Sequence, residues 1–312
     1  MLPIFLKTVP FFAILALGYF AARKSFLDAR ATEGLTRFVF YFALPAMIFR
    51  FAATLPLDEV FQPRPLLAYL LATSGVYLVA TLVALARRTG PQIAAIEAQS
   101  AAIGNVGFLG VPMLTTLMGA RAIGPVMIVL GTDLIVFGSL IVIVISASRD
   151  QRLSIATLGS IGLGLVKNPL VTSMAAGLFW AWMALPVPVP ADEFLTLLGA
   201  AATPGALFAI GASLAARTSE RPAVALWLAT AKLGLHPLAV AATTLLLFDI
   251  APFTAAAMIA AAAMPTAGNV FILAQHYGIA PVRASSAIFF STLASIVTLT
   301  AVIALVSRLA GQ

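Results

Sequence analysis

Residues 102–112 read Ala102-Ile103-Gly104-Asn105-Val106-Gly107-Phe108-Leu109-Gly110-Val111-Pro112. The apolar run around them extends from Pro91 to Met118, long enough for a helix that crosses a bilayer. Three glycines and a proline fall inside these eleven residues. In a helix interior glycine costs about 1 kcal/mol and proline about 3 kcal/mol relative to alanine, so the pattern predicts a helix that breaks. A second stretch, Met264-Pro265-Thr266-Ala267-Gly268-Asn269, has the same character and again sets an asparagine beside proline and glycine. Broken backbone at membrane depth is tolerated only where protein or a cavity surrounds it.

Composition makes the membrane the setting. Of 312 residues, 62% are hydrophobic and 9% charged, whereas soluble domains carry about 25% charged residues. Cysteine is absent and only His236 and His276 represent histidine. That excludes disulfides, thiolate chemistry and a multi-histidine metal centre, and no metal or cofactor is expected. The net charge of +7 is spread singly and in pairs between apolar runs, which reads as a topology signal rather than a nucleic-acid surface.

Working outward, ten apolar stretches qualify as spans, near 3–22, 35–55, 65–86, 91–118, 122–147, 163–185, 194–216, 222–248, 253–277 and 281–308. Pro3 to Ala22 has no basic region before it and is followed by Arg23 and Lys24, the reverse of a cleavable signal peptide, so it is read as a retained span. Alternate loops hold Arg23, Lys24, Arg30, Arg87, Arg88, Arg149, Arg152, Arg217, Arg221 and Arg283. The opposite loops hold only Arg64, Arg121 and Arg308, with Arg50 near a span edge. Basic loops stay cytoplasmic, so both termini are expected outside a cell membrane.

Sliding the chain by about 159 residues superposes Pro10 on Pro169, Gly18 on Gly177, Pro45 on Pro204 and Phe49 on Phe208. A slightly larger shift aligns Gly104-Asn105-Val106 with Gly268-Asn269-Val270. Residues 1–150 and 151–312 then form two five-helix halves. An odd number of spans turns the second half upside down, which gives an inverted repeat, a transporter architecture. The fold class expected is an all-α membrane protein of ten transmembrane helices in an inverted 5+5 repeat.

The two breaks fall at corresponding places in spans four and nine, the sequence pointer to a substrate site. Helix N-termini there favour an anion such as a carboxylate. Asn105 and Asn269 are the candidate hydrogen-bonding groups, with Gly104, Pro112, Pro265 and Gly268 shaping the breaks around them. The alternative is that both asparagines satisfy freed backbone groups. Lys232 lies about 15 Å into span eight, His236 is one turn further on, and Asp133 is at comparable depth in span five. Intramembrane charges face the protein interior, so a Lys232–Asp133 pair is the economical arrangement. These three residues are equally candidates for charge compensation or proton coupling. Glu97 and Gln275, nearer span ends, are expected to reach water; Gly205 and Gly211 are expected at close helix contacts.

Several motifs together resemble the auxin efflux carrier family over nearly the whole chain. They are Arg37-Phe38-Val39-Phe40-Tyr41-Phe42-Ala43-Leu44-Pro45-Ala46, the two broken stretches, Lys167-Asn168-Pro169-Leu170, Ala202-Thr203-Pro204-Gly205-Ala206-Leu207-Phe208-Ala209-Ile210-Gly211-Ala212-Ser213-Leu214 and Ser291-Thr292. The resemblance implies scaffold and transport domains, with broken helices 4 and 9 crossing in the latter. It implies an organic anion bound near that crossing, beside Asn105 and Asn269, and elevator-like alternating access. The short link from Ser148 to Leu163 favours a bacterial-type organic-acid carrier.

A secondary transporter of a small organic anion, a carboxylate or an auxin-like acid, is thus the leading expectation. The alternative is a sodium-coupled organic-anion symporter of the bile-acid type. An intramembrane enzyme would need paired aspartates, a serine–histidine arrangement or a histidine zinc motif, none of which is present. Expected partners are the anion and the lipid bilayer, with no nucleic acid; a homodimer is compatible with an apolar scaffold face. The coupling ion (proton, sodium or none) is open at this point.

Overall fold

The computed structural model describes residues 2–54, 62–150, 155–215 and 222–309. Its helices are α1 (Leu2–Arg23), α2 (Ala29–Thr54) and α3 (Pro63–Ala86), α4 (Pro91–Ala102), α5 (Val106–Met118) and α6 (Ala120–Ser148). There follow α7 (Ile155–Lys167), α8 (Pro169–Trp182), α9 (Val189–Ala215) and α10 (Pro222–Leu247), α11 (Pro252–Ala262), α12 (Asn269–Tyr277) and α13 (Pro281–Leu309). Among the described residues there is no strand, only an isolated antiparallel bridge between Gly104 and Thr266. Six helices, α2, α3, α6, α9, α10 and α13, are long and apolar enough to cross a membrane.

Proline sets many of the boundaries. Pro63, Pro91, Pro169, Pro222, Pro252 and Pro281 each open a helix, where a missing N–H costs nothing and the fixed φ is already helical. Two boundaries differ from the sequence expectation. Helix α2 starts at Ala29 rather than near 35, because Asp28 caps it, its Oδ1 accepting from the Ala31 N–H at 2.7 Å. The sixth apolar stretch divides into α7 and α8 at Asn168, whose side chain accepts from the Leu170 N–H at 3.0 Å. Residues 151–154, with Arg152 and the boundary between the two halves, lie outside the described residues, as do Arg217 and Arg221.

Packing falls into two groups. Helix α1 lies along α9, and α8 lies along α2, which also touches α9. These contacts are close because small residues face backbone. A Cβ on Gly18 would overlap the Phe208 carbonyl, one on Gly211 would overlap that of Leu15, and one on Gly177 would stand 2.7 Å from the Phe49 oxygen. A Cβ on Gly205 would come within 2.8 Å of Val39 Cγ2, so both Gly205 and Gly211 sit at close contacts as expected. In the second group α3 packs on α4 and α10, α10 on α13, and α11 on α6 and α13. The interrupted pairs α4–α5 and α11–α12 belong to this second group.

Candidate functional site

Helix α4 stops at Ala102 and α5 resumes at Val106; α11 stops at Ala262 and α12 resumes at Asn269. The two gaps meet. The Asn105 N–H donates to the Pro265 carbonyl at 2.7 Å, and the Ala267 N–H donates to the Ile103 carbonyl at 3.1 Å. Two extended segments thus satisfy backbone groups that the glycines and prolines had released from helix, as a buried interruption requires.

The four helix ends at this junction are treated differently. Carbonyl ends are closed by protein donors. The Thr266 hydroxyl donates to Ser100 O at 2.8 Å, and the Lys232 ammonium donates to Ala262 O at 2.5 Å. The Thr266 N–H is itself held by Ser291 Oγ at 3.1 Å. At the amide ends, neither Asn105, which precedes α5, nor Gly268, which precedes α12, makes a side-chain cap. The Asn105 side chain is buried and the Asn269 Oδ1 is buried with no hydrogen-bond partner among the described residues. Neither asparagine is therefore spent on a freed backbone group. The first N–H groups of a helix have no intrahelical acceptor and carry the positive end of its dipole. At α12 the Val270 and Phe271 N–H groups donate to the Ala267 and Gly268 carbonyls, each at 3.2 Å. The amide end left without a cap is therefore that of α5 beside Asn105, while one carbonyl at the end of α4 and one at the end of α11 accept from Thr266 and Lys232.

Gly104, Asn105, Pro265 and Thr266 come together here, with Gly268 and Asn269 one turn on. Pro112 does not join them; it is buried in the first α-helical turn of α5, beyond the π-helical stretch Val106–Gly110. The bridge centres on Gly104 and Thr266, so Asn105 flanks it directly while Asn269 lies a few residues past it. The two asparagines are sequence counterparts without being geometrically equivalent.

Lys232, fully buried, reaches this junction from α10. A Cβ on Gly104 would stand 3.2 Å from its Nζ, so glycine is what admits the ammonium beside the break. Nζ also lies 2.9 Å from His236 Nδ1, and His236 Nε2 lies 3.0 Å from Thr73 Oγ1. Asp133 accepts from the Tyr69 hydroxyl at 2.8 Å through Oδ1, and its Oδ2 is buried without a hydrogen-bond partner among the described residues, with the Gly104 backbone nearby. The expected direct Lys232–Asp133 ion pair is not formed. The ion pairs among the described residues are Arg37–Glu33, Arg50–Asp192, Arg87–Glu97 and Arg283–Glu97. The ammonium turns instead to the Ala262 carbonyl and the imidazole, which offer it shorter, aligned acceptors, although Lys232 and Gly104 remain near enough to act on the Asp133 carboxyl electrostatically.

Glu97 also corrects an expectation: it does not reach water. Its carboxylate is fully buried between Arg87 and Arg283, with Arg283 Nη1 at 2.6 Å from Oε1. Gln275 is exposed, at the rim of a cavity of 690 Å³ lined by Asp28, Thr32, Ser213, Phe271 and Ser285 among others. That cavity lies between the α1–α2 turn, the end of α9 and helices α12 and α13, and reaches α12 two residues beyond Asn269. Sequence reasoning assigned no role to Tyr69, Thr73, Ser100 or Thr266; isolated hydroxyls in apolar helices carry no spacing signal.

A junction of interrupted helices inside an apolar bundle defines a class, the membrane transport proteins. The family model described as "Membrane transport protein" matches residues 3–303, and the chain belongs to that family, the auxin efflux carrier family that its motifs resemble. A curated protein of Rhizobium meliloti (strain 1021), named "Putative malonate transporter", is 30% identical over 302 residues, covering 96% of this chain and 94% of that one. The protein is a multi-pass membrane protein of a transporter family.

Proposed function

We propose that the chain is a secondary carrier that moves a small organic anion, a carboxylate or an auxin-like acid, across the cell membrane. The observation that carries the reading is the uncapped amide end of α5 beside the buried Asn105, set against carbonyls at the ends of α4 and α11 that Thr266 and Lys232 occupy. Such a junction favours negative charge, and the relative named for malonate accords with a dicarboxylate. It disfavours the sodium-coupled alternative, because half-helix carbonyl ends are where a coupling cation would sit and Lys232 fills one of them.

In this reading ten passes form an inverted repeat of residues 1–150 and 151–312, with both termini outside. Support comes from the paired contacts Gly18–Phe208 and Gly177–Phe49, whose members are counterparts under the half-length shift. The group α1, α2, α8 and α9 is the scaffold, also the face for a homodimer and for lipid. The group holding the breaks is the transport body that shifts against it, and the 690 Å³ cavity between the two is the way in from the side bearing Lys24 and Arg283.

Purified protein screened by thermal shift against malonate, malate, succinate and indole-3-acetate tests this. A ligand at about 100 times its Kd stabilises the folded state by about 2.7 kcal/mol. We expect a shift with at least one of these acids in wild type and a smaller one in Asn105→Ala and in Asn269→Ala. An undiminished shift in either variant would remove the site.

A further inference from the structure

We propose that the anion travels together with one proton, carried on the carboxyl of Asp133. The inference rests on the anion-carrier reading above and adds its coupling ion.

The cluster behind Gly104 offers a proton a buried carboxyl oxygen. Lys232 Nζ lies 2.9 Å from His236 Nδ1 and Thr73 Oγ1 lies 3.0 Å from Nε2; with Lys232 as an ammonium, which can only donate, Nδ1 is the acceptor and the ring proton falls on Nε2. With both nitrogens engaged and an ammonium alongside, the imidazole is held neutral and cannot take another proton. Asp133 differs. Its Oδ1 accepts from Tyr69, whereas Oδ2 is buried with no hydrogen-bond partner among the described residues. The groups facing this carboxyl are Tyr69 from α3, Lys232 from α10 with His236 behind it, and the Gly104 backbone at the break.

Charge balance then couples the two cargoes. With the site empty, the Lys232 ammonium and the Asp133 carboxylate cancel. A singly charged anion at the Gly104–Asn105 break, hydrogen malonate in the case of malonate, brings one negative charge next to Lys232, and an uncompensated charge in the bilayer interior costs several kcal/mol. A proton on Asp133 Oδ2 restores neutrality, forming one O–H bond; its source is water on the loading face. On the opposite face the proton returns to water, the carboxylate re-forms and the anion leaves. Both the loaded and the empty body are neutral in this cluster, so either can cross.

The test uses the full-length protein in proteoliposomes, radiolabelled malonate as probe and membrane potential clamped by potassium with valinomycin. For one proton per monoanion, an inward gradient of about one pH unit should drive about tenfold accumulation of hydrogen malonate. We expect this in wild type and in His236→Gln, whatever the rate of the latter. Asp133→Asn should still exchange internal for external malonate but lose the pH-driven accumulation. Accumulation retained by Asp133→Asn, or a wild type that exchanges malonate but does not accumulate it under the gradient, overturns the inference while leaving the carrier reading intact. Absence of exchange in wild type with malonate, succinate and indole-3-acetate alike defeats the carrier reading, and this inference with it. If Asp133→Asn is not monodisperse, Tyr69→Phe decides. It keeps the carboxyl but removes the donor to the ionised form, so the pH profile of uptake should move toward alkaline; an unchanged profile overturns the assignment.

Discussion

Asn105 and Asn269 are polar amides in an apolar bundle, and neither is consumed by the backbone around it. A hydrogen bond to a charged group contributes about 1.5–3 kcal/mol, so either alanine variant should weaken anion binding roughly 10- to 150-fold without lowering thermal stability of the empty protein. Isothermal titration read beside a melting curve separates the two effects. Glu97 is the opposite case, a residue whose loss is felt in stability. Two arginines converge on its fully buried carboxylate, and removing one partner from a buried pair costs about 3–5 kcal/mol. Glu97→Ala should lower the unfolding free energy from chemical denaturation by that much, while Glu33→Ala, whose pair with Arg37 is exposed, should change it by under about 1 kcal/mol.

The elements were readable from sequence to the extent that proline and glycine write them. Six prolines mark helix starts, and the two glycine–proline stretches mark the gaps between α4 and α5 and between α11 and α12. What escaped were features set by single hydrogen bonds, such as the Asp28 cap that begins α2 early and the Asn168 cap that divides α7 from α8. The partner of Lys232 escaped too, since a main-chain carbonyl at the end of α11 has no signature in side-chain spacing. Glycine at helix contacts was legible in kind, and its consequence is testable. Gly211→Leu would drive a side chain into the Leu15 carbonyl of α1, so it should abolish monodisperse behaviour on size-exclusion chromatography, whereas Gly75→Leu, with open space around it, should not.

For the molecule as a whole, the absence of cysteine gives a background in which any introduced thiol stands alone. Cysteines at Lys24 and at Arg64 should react with a membrane-impermeant maleimide from opposite faces, Lys24 from the cytoplasmic side; labelling of both from one side would refute the orientation read from the basic loops. The pairing of the two gaps also has a bearing on how the protein is made. Thr266 reaches back across 166 residues to cap Ser100, and Gly104 finds its bridge partner only in that same late segment. While the ribosome is still producing the second half, the first gap has already entered the bilayer with its amides and carbonyls unmatched. Assembly of the transport junction is therefore a final closing event between two inserted halves, and a chain truncated before α11 would hold an interruption that nothing can satisfy, a ready mark for quality control.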